Sequence, residues 1–175
     1  MCVIIDTNTL SCVFNPKDER HEDFLPVLNW IVKGKGKLIM GGSKYMKELS
    51  RARKFLPIIN KLKKSSKVYI ADKDKVDTKE NEIKARIPDP DFDDPHLPAI
   101  AIVGKCKVIC TCDTRSYRFV TNRALYSQKS DIPKYYSKKK NAVLLTDKYV
   151  HDYHKPLTTL NKKAISQIGE VIDAQ

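Results

Sequence analysis

Short apolar runs rich in β-branched residues recur along this chain, and most are followed by a stretch of helical period. Val3 to Ile5, Leu38 to Met40, Val68 to Ala71, Val108 to Thr111 and Val143 to Leu145 read as strands, each too short for a helix of its own. Runs with no polar face suit a parallel sheet covered on both sides. Between them, Phe24, Val27, Leu28, Ile31 and Val32 fall at helical spacing, as do Phe55, Ile58, Ile59 and Leu62. Gly41 and Gly42 close the second strand, and Ser43 is placed to cap a helix through Met46 and Leu49. Strands alternating with helices require right-handed crossovers, which predicts an α/β fold, a three-layer sandwich around a central parallel sheet of five strands. The 175 residues suit a single domain over 1–175.

Several segments fit this frame less simply. Asp72 to Arg86 is highly charged and reads as a solvated helix, and "IPDPDFDDPHLP" interrupts regularity before a helix that ends at Gly104. The segment 117–140 is polar, aromatic and basic, ends in "KYYSKKK", and reads as an insertion between the last two strands; 157–172 reads as a final helix.

In a parallel α/β sheet the carboxyl ends of all strands open on one edge, where ligands bind. Asp6 follows the first strand and Asp113 the fourth; Glu48 lies one turn into the helix after the second; Asp94 precedes Pro95 and is placed to cap the next helix. Four carboxylates far apart in sequence are thereby expected to converge. Such a cluster is relieved by a divalent cation, and oxygen ligands alone select Mg²⁺ or Mn²⁺. Those ions activate water and neutralise the charge that develops as a phosphodiester is cleaved. The bulk charge agrees: 33 Lys and Arg against 21 Asp and Glu give +12, a balance that attracts polyanions. The two together predict an acidic centre in a basic surround, as a nuclease needs.

The segments "VIIDTNTL", "SKYMKEL", "DDPHLPAIAIV" and "VICTCDT", in that order, resemble the PIN-domain nucleases. The resemblance runs from Cys2 to about Thr114 and implies metal-binding roles for Asp6, Glu48, Asp94 and Asp113, with Asn8 and Thr111 hydrogen-bonding behind them. Asp93 rivals Asp94 within an acid-rich stretch that also holds Asp89 and Asp91. The resemblance further implies a metal-dependent endoribonuclease that cleaves single-stranded RNA through metal-activated water, with Mg²⁺ or Mn²⁺ as cofactor. Many PIN domains are toxins silenced by an antitoxin; a toxin with the same chemistry, or a non-catalytic module binding RNA or protein, are the alternative expectations.

Single strands are gripped by charge and aromatic platforms, which nominates Arg51, Arg53, Arg115, Arg118, Tyr135 and Tyr136 for substrate binding. Lys61 to Lys67 reads equally well as one solvated basic face. His96 is placed either to touch substrate or to bond a neighbour. The expected partner is a nucleic acid, RNA before DNA, with an antitoxin, another protein or a homodimer also open and no membrane. Five cysteines, an odd number set mostly in apolar runs, fit reduced thiols and a cytoplasmic location; Cys110 and Cys112 read as packed thiols rather than zinc ligands.

Overall fold

The computed structural model describes residues 2–146, 152–154 and 157–174. Five strands, β1 (Cys2–Ile5), β2 (Lys37–Gly41), β3 (Val68–Ala71), β4 (Val108–Cys110) and β5 (Lys134–Tyr136), form one all-parallel sheet in the order β3-β2-β1-β4-β5. Helices flank it to complete the three-layer α/β sandwich: α1 (Leu10–Phe14), α2 (His21–Val32), α3 (Ser43–Arg51), α4 (Leu56–Lys64), α5 (Lys73–Arg86), α6 (His96–Val103), α7 (Tyr117–Val120) and α8 (Lys162–Asp173). β1 and β4 are buried along their whole length, as expected for strands covered on both faces. Their side chains join one hydrophobic core with Phe24, Ile31, Ile58, Leu62 and Ile100.

The winding of the sheet decides where a ligand can sit. The chain steps from β1 to β2 to β3 in one direction, then crosses back so that β4 pairs with the opposite side of β1, Ile5 standing beside Cys110. At such a reversal the connections after adjacent strands leave in opposite directions and open a crevice at the carboxyl edge. Asp6 and Asp113 leave the sheet on either side of that crevice.

Four expectations about elements are corrected. The fifth strand is not Val143 to Leu145: residues Lys139–Leu144 form a 3₁₀ turn, and Val143 is 73% exposed. The strand is Lys134–Tyr136, paired in parallel with β4, so the segment 117–140 is not a simple insertion but carries α7 and the last strand. An exposed lysine and a buried tyrosine, whose ring packs 5.8 Å from that of Phe24, suit a short edge strand better than a wholly apolar run. Ser43 is the first residue of α3 rather than its cap; the cap is Gly42, at φ +75, where a Cβ would meet Val76 at 2.5 Å. The final helix begins at Lys162, capped by the Asn161 side chain, rather than at 157. The charged stretch after Asp72 is helical, with the Asp72 carboxylate accepting from the Lys75 N–H.

Candidate metal centre

β1 ends because Asp6 turns the chain: its N–H still donates to the Cys110 carbonyl at 2.9 Å, while the next three residues wind into a 3₁₀ turn. The Asp6 side chain is left inside the crevice, 3% exposed. Its carboxylate accepts from the Thr111 hydroxyl at 2.7 Å and from the Asn8 N–H at 3.4 Å. Burial nevertheless raises its pKa; those hydrogen bonds oppose the rise, and the charges of Glu48 and Asp113 add to it.

Glu48 reaches the same edge because α3 is tied to the end of β1. Tyr45, fully buried one turn before Glu48, donates its hydroxyl to the Ile5 carbonyl at 2.7 Å. Glu48 then accepts from the Thr7 hydroxyl at 2.9 Å. On the other side of β1, Asp113 is held by its own turn: its N–H donates to Thr111 Oγ1 at 3.0 Å, and Arg115 grips its two carboxylate oxygens at 3.1 and 2.8 Å. That charged fork holds the Asp113 carboxyl below the usual range.

The third acidic segment departs from expectation in its capping. Pro95 is the cap of α6 and His96 its first residue; Asp94 stands outside the helix, with only its backbone carbonyl accepting from the Leu97 N–H at 3.1 Å. Freed from capping, the Asp94 side chain joins the cluster. Asp93, Asp94 and Asp113 each offer a carboxylate oxygen, all within 4.8 Å of one another. Asp93 and Asp94, the two rivals, both belong to that group. Burial raises the Asp94 pKa to about 7, with the charges of Asp6 and Asp93 adding to it.

His96 meets neither expectation. It is fully buried rather than open to a substrate, and neither ring nitrogen has a hydrogen-bond partner among the described residues. Nε2 lies 3.5 Å from Glu48 and Nδ1 4.0 Å from Asp94. Burial pulls its pKa down to about 3, so the ring is neutral at ordinary pH and does not offset the acids. Of the neighbouring cations, Arg115 is engaged by Asp113, and Lys44 donates to the backbone carbonyl of Asp93.

Asp93, Asp94 and Asp113 thus form one close group, and Asp6 and Glu48 stand outside it but near enough for their charges to act on Asp94. The donor set is all oxygen, two of its members hold their protons more tightly than usual because they are crowded and buried, and an unpaired imidazole faces two of them. An all-oxygen donor set of this kind could hold a hard divalent cation such as Mg²⁺ or Mn²⁺.

The hydrogen-bonding groups behind the acids are partly as expected. Thr111 bridges Asp6 and the Asp113 peptide, but the Asn8 side chain is exposed and only its backbone N–H serves Asp6. Thr7 and Tyr45 do the remaining work, and no spacing rule marked Tyr45. Thr7 was signalled only by following Asp6 directly.

Of the residues nominated for substrate, Tyr136 is corrected. It is fully buried and its hydroxyl donates to the Asp23 carbonyl at 2.9 Å, so it is a core residue. Tyr135 is half-buried at the carboxyl edge; its ring stacks on Tyr117 with centroids 3.8 Å apart, and its hydroxyl lies 3.3 Å from Ser116, which in turn donates to the Asp113 carbonyl. Arg115 and Arg118 line an open groove of about 620 Å³ beside the acids, together with Asp93, Thr114 and Tyr117. Arg118 pairs there with Asp91 at 2.9 Å. Arg51, the last residue of α3, and Arg53, in the 3₁₀ turn that follows, are both exposed. Among the described residues, no group of three or more Cys and His side chains stands close enough together to hold a metal. None of the described helices is long and apolar enough to cross a membrane.

Family models, curated proteins and solved structures give no match to this chain.

Proposed function

We propose that the protein is a divalent-metal-dependent endoribonuclease of the PIN type, acting on single-stranded RNA. The observation that carries this reading is the group of Asp93, Asp94 and Asp113 carboxylates within 4.8 Å of one another, acted on by the charges of Asp6 and Glu48 and next to a groove lined by arginine and tyrosine. Asp93, Asp94 and Asp113 would hold the ion, with Asp6 and Glu48 completing its acidic surround. When bound, Mg²⁺ or Mn²⁺ supplies Lewis acidity toward the phosphate and activation of the attacking water. The chain's own residues do the rest. Thr111 fixes the Asp6 carboxylate and the Asp113 peptide relative to each other, and Thr7 and Tyr45 fix Glu48. Arg115 and Arg118 present guanidinium groups to phosphates along the groove, and the Tyr117–Tyr135 stack offers a face to an unpaired base.

The test is incubation of labelled single-stranded RNA and DNA with the protein, with Mn²⁺ and with chelator, for wild type and Asp6→Asn. RNA cleavage that needs Mn²⁺ and is lost in Asp6→Asn is expected. Equal degradation by both proteins, or indifference to chelator, would sink the reading. A second reading has one observation in its favour: the Arg115 fork supplies Asp113 with an internal counter-ion, as a non-catalytic RNA-binding module would need. Under that reading RNA is retained without being cut, whatever ion is present. A toxin role would add growth arrest on expression, relieved by a co-expressed antitoxin.

A further inference from the structure

We propose that Cys12 and Cys112 form a dithiol modification site, closing to a disulfide on reaction with a hydroperoxide. The two sulfurs lie 3.4 Å apart although 100 positions separate them in sequence. A disulfide needs about 2.05 Å between sulfurs, so closing the bond asks for little more than about an ångström of movement. The elements that carry them are already fastened together: Cys12 lies in α1, Cys112 directly follows β4, and the Cys112 N–H donates to Thr9 Oγ1 at 3.0 Å, just ahead of α1. The remaining thiols are placed differently. Cys2, Cys106 and Cys110 are buried, and Cys106 directs its S–H to the Val108 carbonyl at 3.3 Å.

The asymmetry of the pair sets the order of events. Cys112 is partly exposed and so the more open of the two to a small oxidant, whereas Cys12 is 6% exposed. Burial, with the adjoining Cys112 sulfur, pushes the Cys12 thiol up to about 12, so Cys12 is the poorer first nucleophile. The Cys112 thiolate attacks one peroxide oxygen; the O–O bond breaks, hydroxide (from a hydrogen peroxide) leaves and takes up a proton as water, and Cys112 becomes a sulfenic acid. The Cys12 sulfur then displaces the sulfenic hydroxyl, the S–S bond forms, and the displaced hydroxyl departs with the Cys12 proton as a second water. Two thiols are oxidised by two electrons and one peroxide is reduced. The crosslink ties α1 to the peptide between Thr111 and Asp113, and it forms whether or not the crevice holds a metal.

The experiment treats the reduced, folded full-length chain with a small molar excess of hydrogen peroxide, blocks the remaining thiols, and measures intact mass and a peptide map. Free thiols are expected to fall from the five in the sequence by two, with loss of two hydrogen masses, a Cys12–Cys112 linked peptide, and full reversal by dithiothreitol. Cys12→Ala should form no disulfide and should accumulate a dimedone-reactive sulfenic acid on Cys112. Persistence of all five thiols in wild type, linkage through any other pair, or an unchanged disulfide yield in Cys12→Ala would overturn the proposal. The wild-type peptide map decides it even if the variant does not fold.

Discussion

The two edges of the sheet each bury charge, and they handle it in opposite ways. At the amino edge, Lys67 sits just before β3 and is 1% exposed, its ammonium donating to the carbonyls of Gly34 at 2.8 Å, Gly36 at 3.1 Å and Thr158 at 2.8 Å. Three backbone dipoles surround one cation, and all of its donors are engaged. Burial pulls its pKa down to about 8, yet it remains mostly protonated at neutral pH. At the carboxyl edge, five carboxylates share two nearby cations, and two of the acids resist ionisation. The amino edge is complete as a structure; the carboxyl edge, under the function proposed above, would be balanced by an exchangeable ion. A charge held by fixed dipoles is architecture, while charges left in mutual repulsion form a site.

The largest effect that could break this contrast is on activity. Asp113→Asn or Asp6→Asn should bring chelator-sensitive RNA cleavage to background while urea melts stay cooperative. Loss of cooperative folding instead would place these acids in the architecture, as Lys67 is. Next comes Lys67→Met, which keeps the side-chain volume but leaves three carbonyls without their donor. It should destabilise by about 2 kcal/mol or more, read from the urea midpoint at constant slope, because unsatisfied buried acceptors carry their full desolvation cost. RNA cleavage at permissive temperature should be unchanged.

The two edges also differ in pH response. An exposed carboxyl titrates near 3.9, whereas Asp94 holds its proton to about 7. Between those values the folded metal-free protein keeps a proton that the unfolded chain has released. Stability from this group therefore falls as pH rises from about 4 to about 7. Asp94→Asn should flatten that decline, and saturating Mn²⁺ should remove it. Asp113, held low by Arg115, acts in the reverse sense: its contribution is present above the ordinary carboxyl pKa and is lost only as pH falls below it. Mn²⁺ affinity, measured by calorimetry, should rise toward pH 7 by up to tenfold per unit and then level off. A flat profile would mean that Asp94 is not a ligand.

Much of the carboxyl edge was legible in the sequence, and the reason is geometric. Strand ends announce themselves by a change from apolar to polar, so Asp6 and Asp113 could be placed without knowing strand order, and Glu48 needed only one helical turn. The resemblance to PIN nucleases rests on the same positions. What was not legible depends on contacts made across the sequence. Tyr136 looked like a base platform in a basic run, but Phe24 and the Asp23 carbonyl draw it into the core. Lys67 read as the end of a solvated lysine face, yet the helix stops at Lys64 and Ser66 turns the chain at φ 57, which carries Lys67 inward. Val143 to Leu145 is as apolar as a strand, yet edge pairing went to the tyrosines. His96 could not be assigned because its setting is defined by Glu48 and Asp94 rather than by its neighbours in the chain.

A smaller effect tests the groups behind the acids. Thr111→Val removes the hydroxyl that joins Asp6 to the Asp113 peptide, and Thr7→Val the one that holds Glu48. Groups that orient metal ligands typically matter by about 10 to 100-fold in affinity or activity, and both variants should lose Mn²⁺ affinity in that range. Asn8→Ala should lose little, since its exposed side chain accepts from the Thr9 hydroxyl rather than holding an acid, and the backbone N–H that serves Asp6 is kept. If Asn8→Ala equals Thr111→Val, the division of labour drawn here is wrong.

The smallest effect has the most informative sign. Arg115 is bound to both oxygens of Asp113, the carboxylate shared with Asp93 and Asp94 in the candidate metal site. An ion entering there must compete with the guanidinium for at least one of those oxygens. Arg115→Ala should therefore tighten Mn²⁺ binding a few-fold, the modest gain expected when an exposed ion pair is removed. It should weaken RNA binding at the same time, because the groove loses a phosphate contact. Arg115→Lys keeps a charge but not the two-pronged grip, so it should tighten the ion while retaining most RNA affinity. If Arg115→Ala instead weakens Mn²⁺, the arginine is not a competitor but a support that holds Asp113 in place. The carboxyl edge would then be balanced from within, as the amino edge is by its three carbonyls, and the contrast between the two would lose its basis.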